Sequence, residues 1–561
     1  MRTLLLLLLS CSTVYSILQL RKLSYLKFPY TTSNAFGYLR DAAHRAAYHA
    51  QERILYVLGG QTASNQARLL WIVDLNNPAS PQILHTHSFD PVENGRANDI
   101  AVCPDTVAVT LESSLATKEG HIEFFAPFRR GNLNLVRLGR EPVGVDPKGL
   151  AFTADCQKLV IANEGRGGQD PIDQKFVDPP GSVTIMLRND LGNPSFVNIN
   201  FEPFLTGREF EYQTKGVRWV YKGNHNQGII NNMWDDLEPE RVTIDRSERF
   251  AYVTLPENNA IARIDLNAFS VNDIFPLGYK DWSTLSVDGS DQDGGPNFVS
   301  GFPVQSLFNP TDVMIIISNN QEYLLTANQG TIKRYTAAQG DEFDESRRAR
   351  TVAVDMEFDE SMWPAAVSSA VRNNAQLGRL LIRHSDAADA ISRLIKNVTA
   401  YGGRSLTLWT TQTLTRYYDT LAEIEQHEFT TYATTFNGET SNANQSPAQQ
   451  RDLRSDDHGP EPTCVSAGYF SATVPMVVTG TRTGCIHVYT EIQTVPTFQS
   501  VHREGGTTQP WNTLYTSDTA GDAAITDIGV ISYTESPNGS PLVWVIGSAT
   551  GSLGVYQVVN Q

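Results

Sequence analysis

Acidic and amide side chains recur at two kinds of place in this chain. Glu112, Glu164, Glu257-Asn258 and Asn328-Gln329 stand where an alternating, strand-length run ends. The segments 235–240, 309–312 and 456–462, each acidic or amide-bearing, stand just ahead of another such run. In an antiparallel meander the end of the second strand and the start of the first lie at the same end of the sheet. These groups are therefore expected to converge on one face of the fold. Crowded carboxylates with no Lys or Arg between them repel one another unless a cation joins them, and hard oxygen donors suit Ca²⁺ best. The expected acidic wall is Glu164, Asp236, Glu238, Glu257 and Glu461, with Asn163 and Asn258 as neutral oxygen donors. The alternative is that these acids only ornament solvated turns.

A second acidic loop runs Asp288-Gly289-Ser290-Asp291-Gln292-Asp293-Gly294-Gly295. Asp288, Asp291 and Asp293 on a tightly turning backbone resemble a calcium loop, without the spacing or terminal Glu of an EF-hand. Other chemistry is poorly represented. Arg166-Gly167-Gly168 has no strand-to-helix context for a phosphate loop. No Gly-x-Ser-x-Gly elbow is present, so nucleophilic hydrolysis has no Ser candidate. His44, His121, His225, His458 and His487 show no paired spacing and read as structural residues. No basic clamp for a phosphoryl group is evident either, although catalysis of phosphoryl transfer needs one.

The elements that must position these groups repeat. The clearest cassette runs from Gly149 to Thr153, turns at Asp155-Cys156, continues from Lys158 to Ala162, and resumes after Gly181. A second runs from Arg241 to Ile244, then Phe250 to Leu255, then Ala260 to Leu266. Weaker copies begin near Ala46, Asp99, Asp312, Thr463 and Thr526, with a partial one over 377–409. Short strands with turn residues between them, repeating every ~40–50 residues, predict an all-β propeller of seven or eight four-stranded blades. A pair of β-sandwiches would not need the same cassette so often. Two stretches break the repeat and read as long inter-blade insertions: a charged, partly helical one over 338–396 and a polar one over 412–460.

The expected compartment is extracellular. Arg2, the leucine run 4–9 and the small residue Ser16 have the layout of a signal peptide over 1–16, leaving 17–561 as a single propeller domain. No later segment reads as a membrane span, and 541–561 lacks the apolar tail of a lipid-anchor signal. Lys+Arg total 44 against 61 Asp+Glu, giving −17, or −18 once Arg2 is removed. That balance disfavours nucleic acid and anionic membranes as partners and favours cations or basic surfaces. Cys11 leaves with the signal, and four cysteines allow three pairings. Cys103–Cys156 and Cys464–Cys485 are expected, because the first two occupy similar turns of consecutive blades and the second two flank strands of one blade; the opposing reading is four buried free thiols. Asn397 opens an Asn-Val-Thr sequon and is the expected glycan site.

Several of these segments occur together in a characteristic order: Asn163-Glu164-Gly165, Asp236-Leu237-Glu238-Pro239-Glu240, Glu257-Asn258-Asn259, Asp291-Gln292-Asp293-Gly294 and Asp457-His458-Gly459-Pro460-Glu461-Pro462. Together they resemble the mesenchyme-specific cell-surface glycoproteins of skeleton-forming echinoderm and mollusc cells, whose propeller is shared with bacterial secreted proteins of the choice-of-anchor I family. The resemblance covers roughly residues 35–560. It implies a secreted or surface glycoprotein linked to calcium carbonate deposition, with calcium, calcium mineral, matrix proteins or glycans as partners. An alkaline-phosphatase-like designation among bacterial relatives implies a metal-dependent phosphoesterase as one alternative. A carbohydrate- or protein-binding matrix module is another. Gln329 and Thr463 stand where the resemblance leads one to expect glutamates, which weakens a charge-based site near blades five and seven.

Overall fold

The structure is a computed structural model that describes residues 17–59, 68–172, 175–188, 194–223, 230–318, 320–336, 342–384, 394–492 and 495–561. The expected signal segment and His225 lie outside the described residues. The repeat resolves into seven antiparallel four-stranded sheets. Their first strands are Arg45–His49, Asn94–Cys103, Pro147–Phe152, Val242–Ile244, Asp312–Ser318, Pro462–Ser471 and Ile525–Ile531. Each first strand packs against the next and the seventh returns to the first, so the ring closes as a seven-bladed propeller. Leu18–Lys27 supplies the outermost strand of blade seven, pairing with Ser552–Asn560, and this joins the N-terminal strand to the C-terminal one.

The two middle strands of a blade explain why the ring holds. In blade one, Ile54–Gly59 is buried throughout, and Arg68–Asp74 is buried except at its last residue. Side chains alternate between faces, so Leu55, Val57 and Trp71 pack against blade seven while Tyr56, Leu58 and Ile72 pack against blade two. The same division recurs at every junction, giving seven apolar clusters that each lie between neighbouring blades. Nearer the axis, a polar side chain on one first strand accepts a backbone N–H of the next. Asp527 takes Ala46 N at 2.7 Å, Asp312 takes Val465 N at 2.9 Å, Thr243 takes Ile315 N at 3.1 Å and Ser466 takes Val530 N at 3.1 Å.

The 338–396 stretch does not join two blades, as expected from the sequence. It lies inside blade five, between strands Gln321–Asn328 and Ser405–Thr410. Its strands at 346–348 and 381–383, with the one at 398–400 just after it, add to those at 279–281 and 304–307 in a five-stranded sheet, and helices 349–355 and 365–372 pack there around Trp282, Trp363 and Leu377. The apolar residues of the partial repeat over 377–409 therefore mostly serve this side layer, and only the strand at 405–410 belongs to a blade. Most of 412–460 does run between blades five and six, and carries the helix Glu423–Tyr432.

Cys103 and Cys156 form a disulfide between blades two and three. Cys464 and Cys485 do not pair; both are buried free thiols. Cys464 lies on the first strand of blade six, and Cys485 just before the third, with the second strand between them. Two strand spacings are about 9.5 Å, beyond the Cα separation that a disulfide spans.

Candidate functional site

Four of the five acids of the expected wall gather in a sector between blades three and four. Glu164 follows the second strand of blade three, Asp236, Glu238 and Glu240 lead into blade four, and Glu257 and Asn258 follow its second strand. Asp146, which precedes Pro147, has φ of 50°, and Glu461, which precedes Pro462, also has φ of 50°. This left-handed backbone is uncommon for residues with side chains, and it turns the loop sharply into a first strand.

The premise that no Lys or Arg stands among these acids does not hold. Lys148 Nζ lies 2.9 Å from Glu164, 3.0 Å from Asp146 and 3.6 Å from Glu112. Lys333, carried in from the excursion within blade five, lies 2.8 Å from Asp236 and 3.2 Å from Glu238 with no solvent exposure. Tyr335 donates to Glu238 at 2.7 Å and to Asp178 at 3.1 Å. Asp236 also accepts the N–H groups of Val220 and Tyr221, and the Asn258 amide donates to its carboxylate at 3.0 Å. Asn258 thereby spends its amide on locking the loop. Asn163 donates to Ser182 and Thr184, while its buried Oδ1 has no partner.

Compensation is incomplete at Glu257. It is buried, its Oε1 accepts from Thr331 at 2.9 Å, and its Oε2 has no hydrogen-bond partner. Burial, then the charges of Glu238 and Glu240, hold its carboxyl well above the usual carboxylate range. Burial raises Glu164 and Asp178 in the same way, against the pull of Lys148 and Lys333 respectively. Asp146, Glu164, Asp178, Asp236, Glu238, Glu240 and Glu257 thus face Lys148, Arg166, Arg241 and Lys333 as the cations acting on this sector.

The remaining expected ligands lie elsewhere. Glu461 sits between blades five and six, ion-paired to Arg454 and accepting from Gln329 and His458 at 3.1 Å each. Asp291 is held by Arg379 at 2.9 Å. Asp293 accepts Gly295 N at 3.3 Å. Asp288 is buried beside Glu425 and Asp452, and burial followed by those charges pushes it up to about 9. Among the described residues no group of three or more His, Cys, Asp or Glu side chains is arranged to hold a metal ion by itself. A calcium ion here would need amide, backbone or water oxygens to complete its shell.

A feature missed from the sequence opens at the channel mouth. A cavity of about 340 Å³ is lined by Arg45, Arg96, Lys148, Arg241 and Arg482, together with Glu240, His44, Asn98, Gln329 and several threonines. Four of the five cations stand on or next to first strands, at the same lead-in positions where the acids were sought. Their place in the repeat is the signal that the sequence offers for them.

Residues 44–494 match the Choice-of-anchor I domain, which is most of the chain. The chain belongs to the choice-of-anchor I family. It is 27% identical over 175 residues to the mesenchyme-specific cell surface glycoprotein of Strongylocentrotus purpuratus, covering 30% of this chain and 21% of that protein. It is 28% identical over 193 residues to Gigasin-3a of Magallana gigas, covering 34% of this chain and 67% of that one. The match thus spans about a fifth of the sea-urchin protein. Solved structures with a similar course include Raptor of Chaetomium thermophilum (TM-score 0.44, 7% identity, 97% of this chain and 30% of that one). Another is the Cps50 (Swd1) β-propeller domain of Myceliophteria thermophila (TM-score 0.41, 7% identity, 96% of this chain and 100% of that one). In this choice-of-anchor I chain, Gln329 and Thr463 both line the channel cavity, from blades five and six rather than five and seven. Their neutral side chains leave Glu240 as the sole carboxylate among the described lining residues.

Proposed function

We propose that this protein is an extracellular, calcium-binding glycoprotein that acts by binding, in assembly of a matrix or of calcium carbonate mineral. The observation that carries the reading is the buried Glu257 Oε2, which lacks a donor while Glu238 and Glu240 crowd the same sector. A calcium ion at that oxygen would replace the proton that the crowding otherwise recruits. Family membership, the disulfide and the printed name of the sea-urchin relative favour the extracellular address. No helix among the described residues is long and apolar enough to cross a membrane.

Calcium titration of the chelator-stripped full chain by calorimetry, at pH 6 and pH 8, tests this. Binding should tighten at pH 8 and release protons, because the ion competes with protonation of a raised carboxyl. Glu257→Gln, which keeps the Thr331 contact available, should abolish the heat. Absence of calcium heat in the wild type, with identical melting in calcium and in chelator, would leave the acids as turn ornament.

A further inference from the structure

The channel cavity asks for a ligand of the opposite sign from calcium. Arg45 comes from blade one, Arg96 from blade two, Lys148 from blade three, Arg241 from the lead-in to blade four and Arg482 from the end of the second strand of blade six. Cations thus approach one space of about 340 Å³ from five blades around the ring. Carboxylates placed behind them hold most of them in position. Arg45 Nη1 donates to Asp527 at 3.1 Å, Arg241 Nη1 to Asp99 at 2.8 Å, and Arg96 Nη2 pairs with Asp41 at 3.0 Å. Each of those bonds uses one terminal nitrogen of a guanidinium that carries five N–H donors. Arg482 goes further. Among the described residues its side chain makes no hydrogen bond and no direct ion pair, although its charge also acts on Asp41, and its buried Nε is unpartnered, as is that of Arg96.

A preorganised ring of donors with spare N–H groups, opposed in the lining by Glu240 alone, is built for charge of the other sign. Convergence from many directions suits a compact acceptor with oxygens on all sides better than a planar carboxylate, which takes its donors in one plane. We propose that the channel mouth is a binding site for a tetrahedral oxyanion of the sulfate or phosphate class, with Arg482 as the arm that closes on it. The anion arrives free or as the terminal group of a glycan. The site does not include Glu257 and stands or falls separately from the calcium reading, although Thr331 lines the cavity and donates to Glu257.

The test is calorimetric titration of the full-length chain with sodium sulfate, sodium phosphate, sodium acetate, a sulfated heparin oligosaccharide and its desulfated form. All are measured in chelator, so that a failure of the calcium reading leaves this result intact. Wild type should bind sulfate or phosphate, the sulfated oligosaccharide, or both, at least tenfold more tightly than acetate or the desulfated sugar. Binding of the free ions alone assigns the free source, and binding of the oligosaccharide alone assigns the glycan. Arg482→Gln should weaken that binding at least tenfold with an unchanged melting temperature, since among the described residues the side chain makes no hydrogen bond. Arg208→Gln, which lies outside the cavity lining and pairs with Glu211, should leave these affinities unchanged. No binding of any oxyanion, equal binding of acetate and sulfate, or unchanged affinity in Arg482→Gln would overturn the proposal.

Discussion

Lys333→Met isolates the charge compensation of the acidic sector. The ammonium has no solvent exposure and donates to Asp236 Oδ1 at 2.8 Å and to the Asp236 carbonyl at 2.7 Å, with Glu238 at 3.2 Å. Methionine fills similar volume without charge. Removing one partner of a buried pair costs about 3–5 kcal/mol, because the other charge stays buried and unpaired. Unfolding entropy near 2.1 cal/mol/K per residue gives roughly 1.2 kcal/mol/K for a chain of this length, so the melting temperature should fall by roughly 3–4 °C. The loss should depend on pH in a defined direction. Glu257, Glu164 and Asp178 have folded-state pKa values raised above their unfolded ones. Such groups favour the fold while protonated, and that contribution disappears as pH climbs from the ordinary carboxylate range, about 4, through the raised values. Without Lys333 the sector should need protons more, so the deficit should be small near pH 4 and full at pH 8. Calcium in excess should restore more of the loss in the variant than it adds to wild type, by mass action on the folded state, and Lys333→Met/Asp236→Asn should recover part of it. Thermal melting across pH, with and without calcium, reads all of this. A deficit equal at pH 4 and pH 8, or no deficit, would show that Lys333 does not compensate these carboxylates.

Other outcomes follow from the same structure. Cys103→Ser should cost about 4 kcal/mol for a loop of 53 residues, whereas Cys464→Ala should leave the disulfide count unchanged; non-reducing mass mapping should find one bridge and two free thiols. Asn397 is exposed just before the strand Val398–Ala400, so peptide mapping of protein from a eukaryotic host should find it glycosylated. Phosphomonoester turnover with calcium present should stay at background. The hydroxyls of Thr463 and Thr526 at the channel mouth donate to main-chain carbonyls, and neither is paired with a base. A robust rate lost in Glu164→Gln would instead establish a phosphoesterase.

The ring itself was legible because each blade repeats a local pattern. All seven first strands begin at or within a few residues of Ala46, Asp99, Gly149, Arg241, Asp312, Thr463 and Thr526, where the alternating runs start after turn residues. The surplus partial copy over 377–409 misled for a physical reason. Its apolar residues Leu377, Leu380, Ile382 and Val398 are buried as a blade strand's are, yet they cover the side layer around Trp282 and Trp363, and only Leu406, Leu408 and Trp409 pack in a blade. Periodicity reports burial on a face and says nothing of which neighbour buries it. The expected Cys464–Cys485 bridge failed similarly, since proximity in sequence ignored the strand lying between them.

The candidate site was legible in its carboxylates and not in its cations, and the difference lies in where each comes from. The acids sit at recurring lead-in and strand-end positions, so the repeat itself places them on one face. Of their counter-ions, Lys148 stands at such a position too, whereas Lys333 reaches Asp236 from 97 residues away, between two strands of blade five. A carboxylate buried without a partner is costly enough that a folded protein either supplies a cation or accepts a proton. Burial of Asp236 and Glu238 therefore already implied a lysine or arginine near them, even though the sequence could not say which. The same reasoning, applied to the leftover side, marks two of the places where compensation is unfinished. At Glu257 an acid oxygen lacks a donor, and at Arg482 a guanidinium lacks an acceptor. An acid oxygen without a donor and a guanidinium nitrogen without an acceptor are what a protein that gathers both a cation and an oxyanion would need to leave open.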